Sequence, residues 1–273
     1  MNEQELKEKA KQIRLLALEG IYEAQSGHPG GSLSIAEMLA VLYFEQMHIN
    51  PQYPHDENRD RFVLSKGHAA PAYYAALALR GYFPIEEMHS LRRYHSILQG
   101  HPNMNKVPGV DMSTGSLGQG LSAANGMALY GKTEKKPYRV YVICGDGELQ
   151  EGQVWEAVMT GAKYQLDNLT LLVDNNGLQI DGPVEYVKNV FPLRQKFEAF
   201  GWNVLSVDGH DILQLQKAFR QAAACHGRPS VLICKTKKGK GVSYMENQAG
   251  WHGAAPDTAR FKQAVAELNG VYK

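Results

Sequence analysis

Only three of the 273 residues are cysteine. Cys144, Cys225 and Cys234 show no C-x-x-C spacing, which argues against a disulfide framework or a thiolate zinc site. They read as reduced core thiols of a cytoplasmic protein. Neither sign of charge is in surplus: 29 Lys and Arg face 28 Asp and Glu, a formal net charge of +1. That balance leaves no electrostatic footprint for nucleic acid or an anionic membrane. No apolar run is long enough to cross a bilayer. The first eleven residues are charged and lack the apolar segment of a signal peptide. No internal repeat, low-complexity segment or linker divides the chain, so residues 1–273 read as a single domain.

What is present is alternation. Residues 138–144 read as a buried strand that stops at Gly145-Asp146-Gly147. Val154, Trp155, Val158, Ala162 and Leu166 follow at helical spacing, and the apolar run 169–173 closes on Asp174-Asn175-Asn176-Gly177. Helices are predicted over 3–24, 35–47, 69–80, 83–96, 121–130, 188–200, 211–226 and 257–268. Strands are predicted over 60–65, 202–207 and 229–236. Ser34 is placed as an N-cap with Glu37 completing a capping box. The glycine-rich segment 26–32 is placed in a shaped loop. Strands alternating with helices predict an α/β fold, a doubly wound parallel sheet with helices on both faces.

Asp146 and Asn176 then stand at the carboxyl ends of successive strands, where open parallel sheets line their ligand crevice. A carboxylate, an amide oxygen and loop carbonyls are hard ligands, suited to magnesium that keeps phosphate oxygens and water in its shell. Calcium or manganese would suit the same donors. Either Asp-Gly or Asn-Gly alone reads equally as an ordinary turn. The pair, about 27 residues apart across a helix and a strand, points to a cofactor site. The turn 114–120, rich in glycine and opening a helix, is a second candidate for anion contact.

Four histidines, His28, His68, His101 and His252, each lie beside Gly or Pro in a predicted loop. Together they could orient hydroxyls or move protons on a polyol. A zinc site is the competing reading, weakened by the absence of short helical spacing. Each alone reads as a plain loop histidine, the reading given to His48, His55, His89, His95, His210 and His226. The lysines of 235–240 form too short a patch for nucleic acid, and suit phosphate contact or solvation.

Five ordered motifs carry a resemblance. They are Ser26-Gly27-His28-Pro29-Gly30, Leu64-Ser65-Lys66-Gly67-His68, Thr114-Gly115-Ser116-Leu117-Gly118-Gln119-Gly120, Gly145-Asp146-Gly147-Glu148-Leu149-Gln150-Glu151-Gly152 and Trp251-His252-Gly253. In this order they resemble the thiamine-diphosphate-binding part of transketolase, from about Ile13 to Pro256. The resemblance implies ketol transfer between sugar phosphates in carbohydrate metabolism of the pentose phosphate type. It implies that Asp146, Asn176 and the Leu178 carbonyl hold the magnesium. It implies that His68, Gly115, Leu117, Gly147 and Asn176 contact thiamine diphosphate. Lys238 and His252 would lie near the diphosphate and substrate, and His28 and His101 at the donor hydroxyls. Glu151 and Glu156 match an acidic pair that faces a neighbouring subunit. Transketolases normally continue into a pyrimidine-binding domain and a smaller C-terminal domain, which this sequence lacks. The expectation is therefore an N-terminal subunit that is inactive without a separate C-terminal partner and assembles with it as α2β2. The competing readings are the α subunit of a 2-oxo-acid or acetoin dehydrogenase and a half-transketolase without catalysis.

Overall fold

A computed structural model describes residues 1–271; the last two residues of the expected 1–273 unit lie outside the described residues. The first helix, α1 (Glu3–Ala24), starts where predicted because Asn2 and Glu5 form a reciprocal capping box. It stops at Gln25, which turns into the left-handed region at φ 47°. The glycine-rich segment after it contains a short helix, α2 (Pro29–Leu33), where a loop is predicted. Pro29 explains the difference, since a proline at the first helical position has no N–H to lose.

Ser34 is not an N-cap. Helix α3 (Ala36–Val41) begins after Ile35 with no side-chain cap and runs on as a wider turn over Leu42–Gln46. The Ser34 hydroxyl donates instead to Asp174 Oδ2 (2.7 Å), with Gly31 O a longer 3.1 Å away. Glu37 leaves the capping box for a buried ion pair with Arg14 (2.6 Å) and a hydrogen bond from His210 Nδ1 (3.0 Å). His210 is thus no plain loop histidine. Its Nε2 accepts from Lys237 N at 2.9 Å, which fixes the proton on Nδ1.

Strand β1 (Arg61–Leu64) leads through a tight turn into α4 (Ala70–Arg80). The helix predicted over 83–96 is a single 3-10 segment, Ile85–Ser90. Beyond it Arg92 and His95 adopt positive φ, which a helix cannot contain. Helix α5 (Gly120–Thr133), strand β2 (Val140–Gly145), helix α6 (Gly152–Lys163) and strand β3 (Leu169–Asn175) follow as predicted. A two-rung hairpin, β4 (Leu178–Gln179) with β5 (Gly182–Pro183), folds over the end of β3. The helix predicted over 188–200 is two, α7 (Val184–Lys188) and α8 (Leu193–Ala199). Pro192 separates them, because its ring and missing N–H bar a continuous helix. Strand β6 (Asn203–Asp208), helix α9 (Ile212–Ala223), strand β7 (Ser230–Lys235) and helix α10 (Thr258–Leu268) complete the chain.

Among the described residues the main sheet has order β1-β2-β3-β7-β6, with every pairing parallel. Side chains alternate between two cores. Phe62, Tyr141, Ile143 and Leu172 face α1, α3, α4 and α9. Val63, Val142, Leu171 and Val231 face α5, α6 and α8. Burial on both faces is why these strands read as unbroken apolar runs. The free edge of β1 is covered by the segment before α5. Asp111 Oδ2 accepts from Phe62 N (2.8 Å), and Thr114 Oγ1 donates to Leu64 O (2.7 Å). Among the described residues no helix is long and apolar enough to cross a membrane.

Burial raises the Glu37 carboxyl, but Arg14 and His210 overcome it and hold it at about 2, below the ordinary 4.5. Its stabilisation is therefore fully present above about pH 4.5 and lost as pH falls through about 2. Glu37→Ala, which strands the buried Arg14 guanidinium, is expected to cost about 3–5 kcal/mol in urea unfolding at pH 7. The deficit against the unaltered chain should shrink as both are taken to pH 2.

Candidate active site

The carboxyl ends of β1, β2, β3 and β7 open into a cavity of about 450 Å³, lined by Lys66, His68, Asp146, Asn176, Lys238 and His252 among others. Its floor is a buried network centred on Asp174, which is fully buried. Lys66 Nζ donates to Asp174 Oδ2 (2.6 Å) and to Gly31 O (2.7 Å). Ser34 Oγ, Thr236 Oγ1 and Asn176 Nδ2 donate to the same carboxylate. Burial pushes Asp174 up, yet Lys66 and the hydroxyls hold it below the ordinary range. Neither Lys66 nor Asp174 has a role that the sequence alone assigns. The one signal is a lysine at a strand end inside Ser65-Lys66-Gly67-His68, which no spacing rule ties to Asp174.

Asn176 spends its amide N–H on Asp174 (2.8 Å), so its oxygen turns the other way, accepting from Leu178 N at 3.1 Å. Asp146 is 1% exposed and, among the described residues, accepts only from the main-chain N–H groups of Gly147 and Gly177. Burial first, and then Asp174, push its carboxyl up to about 7. A carboxylate this deeply buried, with no ion-pair contact among the described residues and only Lys238 acting on it from a distance, is suited to a cation. Among the described residues no three His, Cys, Asp or Glu side chains converge on a metal position, the four histidines included. A single carboxylate with an amide oxygen and a main-chain carbonyl fits a hard divalent ion whose remaining ligands are phosphate oxygens and water. Lys238 Nζ lies over this set, 3.3 Å from Leu178 O. Burial, followed by Lys66, lowers its ammonium to about 8. A buried lysine facing an open cavity is a ready partner for a diphosphate. Gly147 lines the same cavity, and a Cβ there would meet Gln179 Cβ at 2.7 Å, so glycine lets β4 pack against this turn. The donor set and cavity therefore fit the expected cofactor.

The four histidines, scattered over 225 positions of sequence, do converge. Ring centroids lie 5.3 Å apart for His28 and His68, 4.8 Å for His68 and His252, 5.4 Å for His28 and His252, and 6.3 Å for His28 and His101. Arg92, which no motif in the sequence marks, brings Nη2 to 3.4 Å from His28 Nδ1 and Nη1 to 3.2 Å from Ser26 Oγ. Lys238 Nζ is 3.0 Å from His252 Nδ1. Guanidinium and ammonium groups only donate, so both Nδ1 atoms are acceptors and both rings carry their proton on Nε2. Burial, followed by Arg92 and other cations, lowers His28 to about 4, and burial with Lys238 lowers His252 to about 3. Burial also holds His68 well below the usual range and lowers His101.

Leu117 lines the cavity, whereas Gly115 lies behind it, packed so that a Cβ would meet His101 Cδ2 at 3.0 Å. Glu151 is at the cavity rim and exposed; Glu156 is exposed one turn along α6 and outside the lining. Of the 235–240 lysines, Lys238 turns inward, while Lys237 and Lys240 pair with Glu246 at the surface. Cys144 and Cys234 are buried as predicted, but Cys225 is only half-buried. In the chain without cofactor, ring-nitrogen NMR at pH 6 should show His28 and His252 neutral with the proton on Nε2. A titration midpoint near the ordinary 6.5 for either ring would contradict the geometry.

Comparison with known proteins places this arrangement. Residues 6–269 match the family model for the thiamine diphosphate binding domain of transketolase. The chain is 48% identical over 270 residues to the 6-deoxy-6-sulfo-D-fructose transketolase subunit SqwG of Clostridium sp. (strain MSTE9), covering 98% of both chains. It is 42% identical to an apulose-4-phosphate transketolase subunit of Phocaeicola vulgatus, covering 97% of this chain and 93% of that one. The crystal structure of Campylobacter jejuni transketolase superposes with a TM-score of 0.91 at 35% identity, over 98% of this chain but only 43% of that enzyme. With the family model spanning nearly the whole chain and the fold shared, the protein belongs to the transketolase family and comprises its thiamine diphosphate binding domain.

Proposed function

We propose that this chain is one subunit of a two-chain transketolase, carrying a two-carbon ketol group from a ketose to an aldose. The observation that carries the reading is the convergence of four histidines beside the Asp146–Asn176 end of a diphosphate-sized cavity. Asp146, the Asn176 oxygen and the Leu178 carbonyl would hold Mg2+, and Lys238, His68 and Gly147 would receive the diphosphate. When bound, thiamine diphosphate supplies the nucleophilic carbon and the electron sink that cleavage beside a ketose carbonyl requires.

The chain's own groups do the rest. His28 and His252 present Nε2–H donors, which anchor sugar oxygens and hold the donor carbonyl in place. His101 has no protein hydrogen bond on its ring nitrogens among the described residues and is neutral, so it is the group free to take a hydroxyl proton. Arg92, fixed beside His28, holds the ring's acceptor face so that its donor face meets substrate. The Lys66–Asp174 pair keeps the floor rigid while anionic groups enter.

The pyrimidine-binding half is assigned to a partner. The two relatives that match over nearly their full length are named as subunits. We assign a pyrimidine-domain partner chain to this protein too, in an α2β2 assembly. Glu151 and Glu156 face outward, where they would meet a neighbouring subunit. The buried free thiols Cys144 and Cys234 suit the cytoplasm. One relative's name carries a sulfonated ketose and another a branched sugar phosphate, so the donor class we assign here is a polyhydroxylated ketose with an anionic tail.

Purified with a separately encoded pyrimidine-domain partner, the chain should transfer ketol groups from such ketoses in the presence of thiamine diphosphate and Mg2+. Without that protein, turnover should be at least ~10²-fold lower, because the pyrimidine-binding half of the site is assigned to that partner. Full turnover by the chain alone would refute the two-chain reading. Asp146→Asn in the pair should weaken Mg2+-dependent cofactor binding by at least ~10²-fold, read by calorimetry. Unchanged binding would remove Asp146 from the metal.

A further inference from the structure

Glu148 follows directly on Gly145-Asp146-Gly147, is 3% exposed, and has no part in the scheme above. Its carboxylate gathers three donors from three segments. Oε1 accepts from Ser65 Oγ (2.5 Å), beyond β1, and from Gly118 N (2.9 Å), in the turn before α5. Oε2 accepts from Gly145 N (3.0 Å), at the end of β2. All three donors are neutral, and Glu148 has no salt-bridge partner among the described residues. Burial accordingly pushes its carboxyl up.

A buried carboxylate whose hydrogen-bond donors are all neutral is an expensive way to fill space, since a charge leaves water with no ion-pair contact and only Lys66 acting from a distance. Its effect must lie in what it fixes. The turn 114–120 is tied at its start by Thr114 to Leu64 O. At its other end Gly118 sits at φ +84°, next to Leu117, which lines the cavity. A Cβ at Gly118 would meet Glu151 Cβ at 2.8 Å, so the turn is pressed against the start of α6. The Gly118 N–H is the one main-chain group of this turn tied to Glu148, and the other carboxylate oxygen holds the peptide that leads into Asp146. One planar group thus sets the gap between the turn and the strand end.

We infer that Glu148 is a positioning residue for thiamine diphosphate: it clamps the Leu117–Gly118 turn against the Gly145–Asp146 strand end and fixes the width of the cleft between them. This rests on the cofactor reading above. The clamp needs an acceptor at every position, because all three partners are donors. Glutamine keeps the shape but carries two N–H groups, so in either orientation at least one N–H faces another.

The test uses the chain paired with its pyrimidine-domain partner, with thiamine diphosphate and Mg2+ as the probe and calorimetry as the readout. Glu148→Gln should weaken cofactor binding about tenfold, while kcat at saturating cofactor stays within about twofold. A merely structural role would instead lower kcat through the folded fraction and leave cofactor affinity alone. Ser65→Ala removes the hydroxyl donor but neither amide tie, and should change cofactor affinity less than about twofold. Equal affinity in Glu148→Gln and the unaltered pair, or equal losses in the two variants, would overturn the clamp. Amide exchange on the unaltered, cofactor-free chain decides the matter even where Glu148→Gln does not fold. A slowly exchanging Gly118 N–H supports the clamp, and exchange at the rate of an open loop overturns it. If the unaltered pair fails to bind thiamine diphosphate, it is the cofactor reading that falls.

Discussion

The buried pair of Lys66 and Asp174 is the interaction on which the site depends. Taking both charges out of water is costly, and their attraction offsets that only if the remaining bonding positions are filled. Here they are. Asp174 accepts from Lys66, Ser34, Thr236 and Asn176, and Lys66 also donates to Gly31 O. The donors come from the ends of β1, β3 and β7 and from the approach to α3. The pair therefore fixes the relative heights of three strand ends and turns the Asn176 oxygen away from the floor.

The same pair sets the electrostatics above it. Asp174 contributes to raising the Asp146 carboxyl, and Lys66 contributes to lowering Lys238, His68 and His252. The cavity is consequently built from groups close to giving up their charge: a carboxyl held near 7 and an ammonium near 8. An incoming divalent ion favours the ionised form of the first, and an incoming diphosphate favours the charged form of the second. The histidines remain neutral beside them and act through hydrogen-bond direction.

Sheet and site are legible in the sequence to different depths and for different reasons. Strands such as β2 and β3 are buried on both faces, so the apolar run itself marks them. Gly67 and Gly147 mark strand ends because a Cβ there would meet Gly115 N and Gln179 Cβ, each at 2.7 Å. Two failures are local, at Pro29 and Pro192; the others are cases in which a distant partner outcompetes a local one. Ser34 and Glu37 have the spacing of a capping box, yet Asp174 bonds the first and Arg14 pairs with the second. Ile85, Met88 and Leu91 have helical spacing, but the chain turns left-handed at Arg92 to bring that side chain to His28. His210 looks like a turn residue because both its partners, Glu37 and Lys237, are far away in sequence. Asp174 reads merely as the last residue before an Asn-Asn turn, although it anchors the floor.

Those long separations have a kinetic consequence. Lys66 reaches Asp174 across 108 residues and Ser34 across 140. Neither bond can form until β1, β3 and the helices between them have docked, and contacts of such span slow the search for the native topology. The floor thus closes only when β1, β3 and the segment before α3 are docked together, so its geometry reports on the whole topology. For this protein, competence to bind ligand measures completed folding more stringently than secondary structure does.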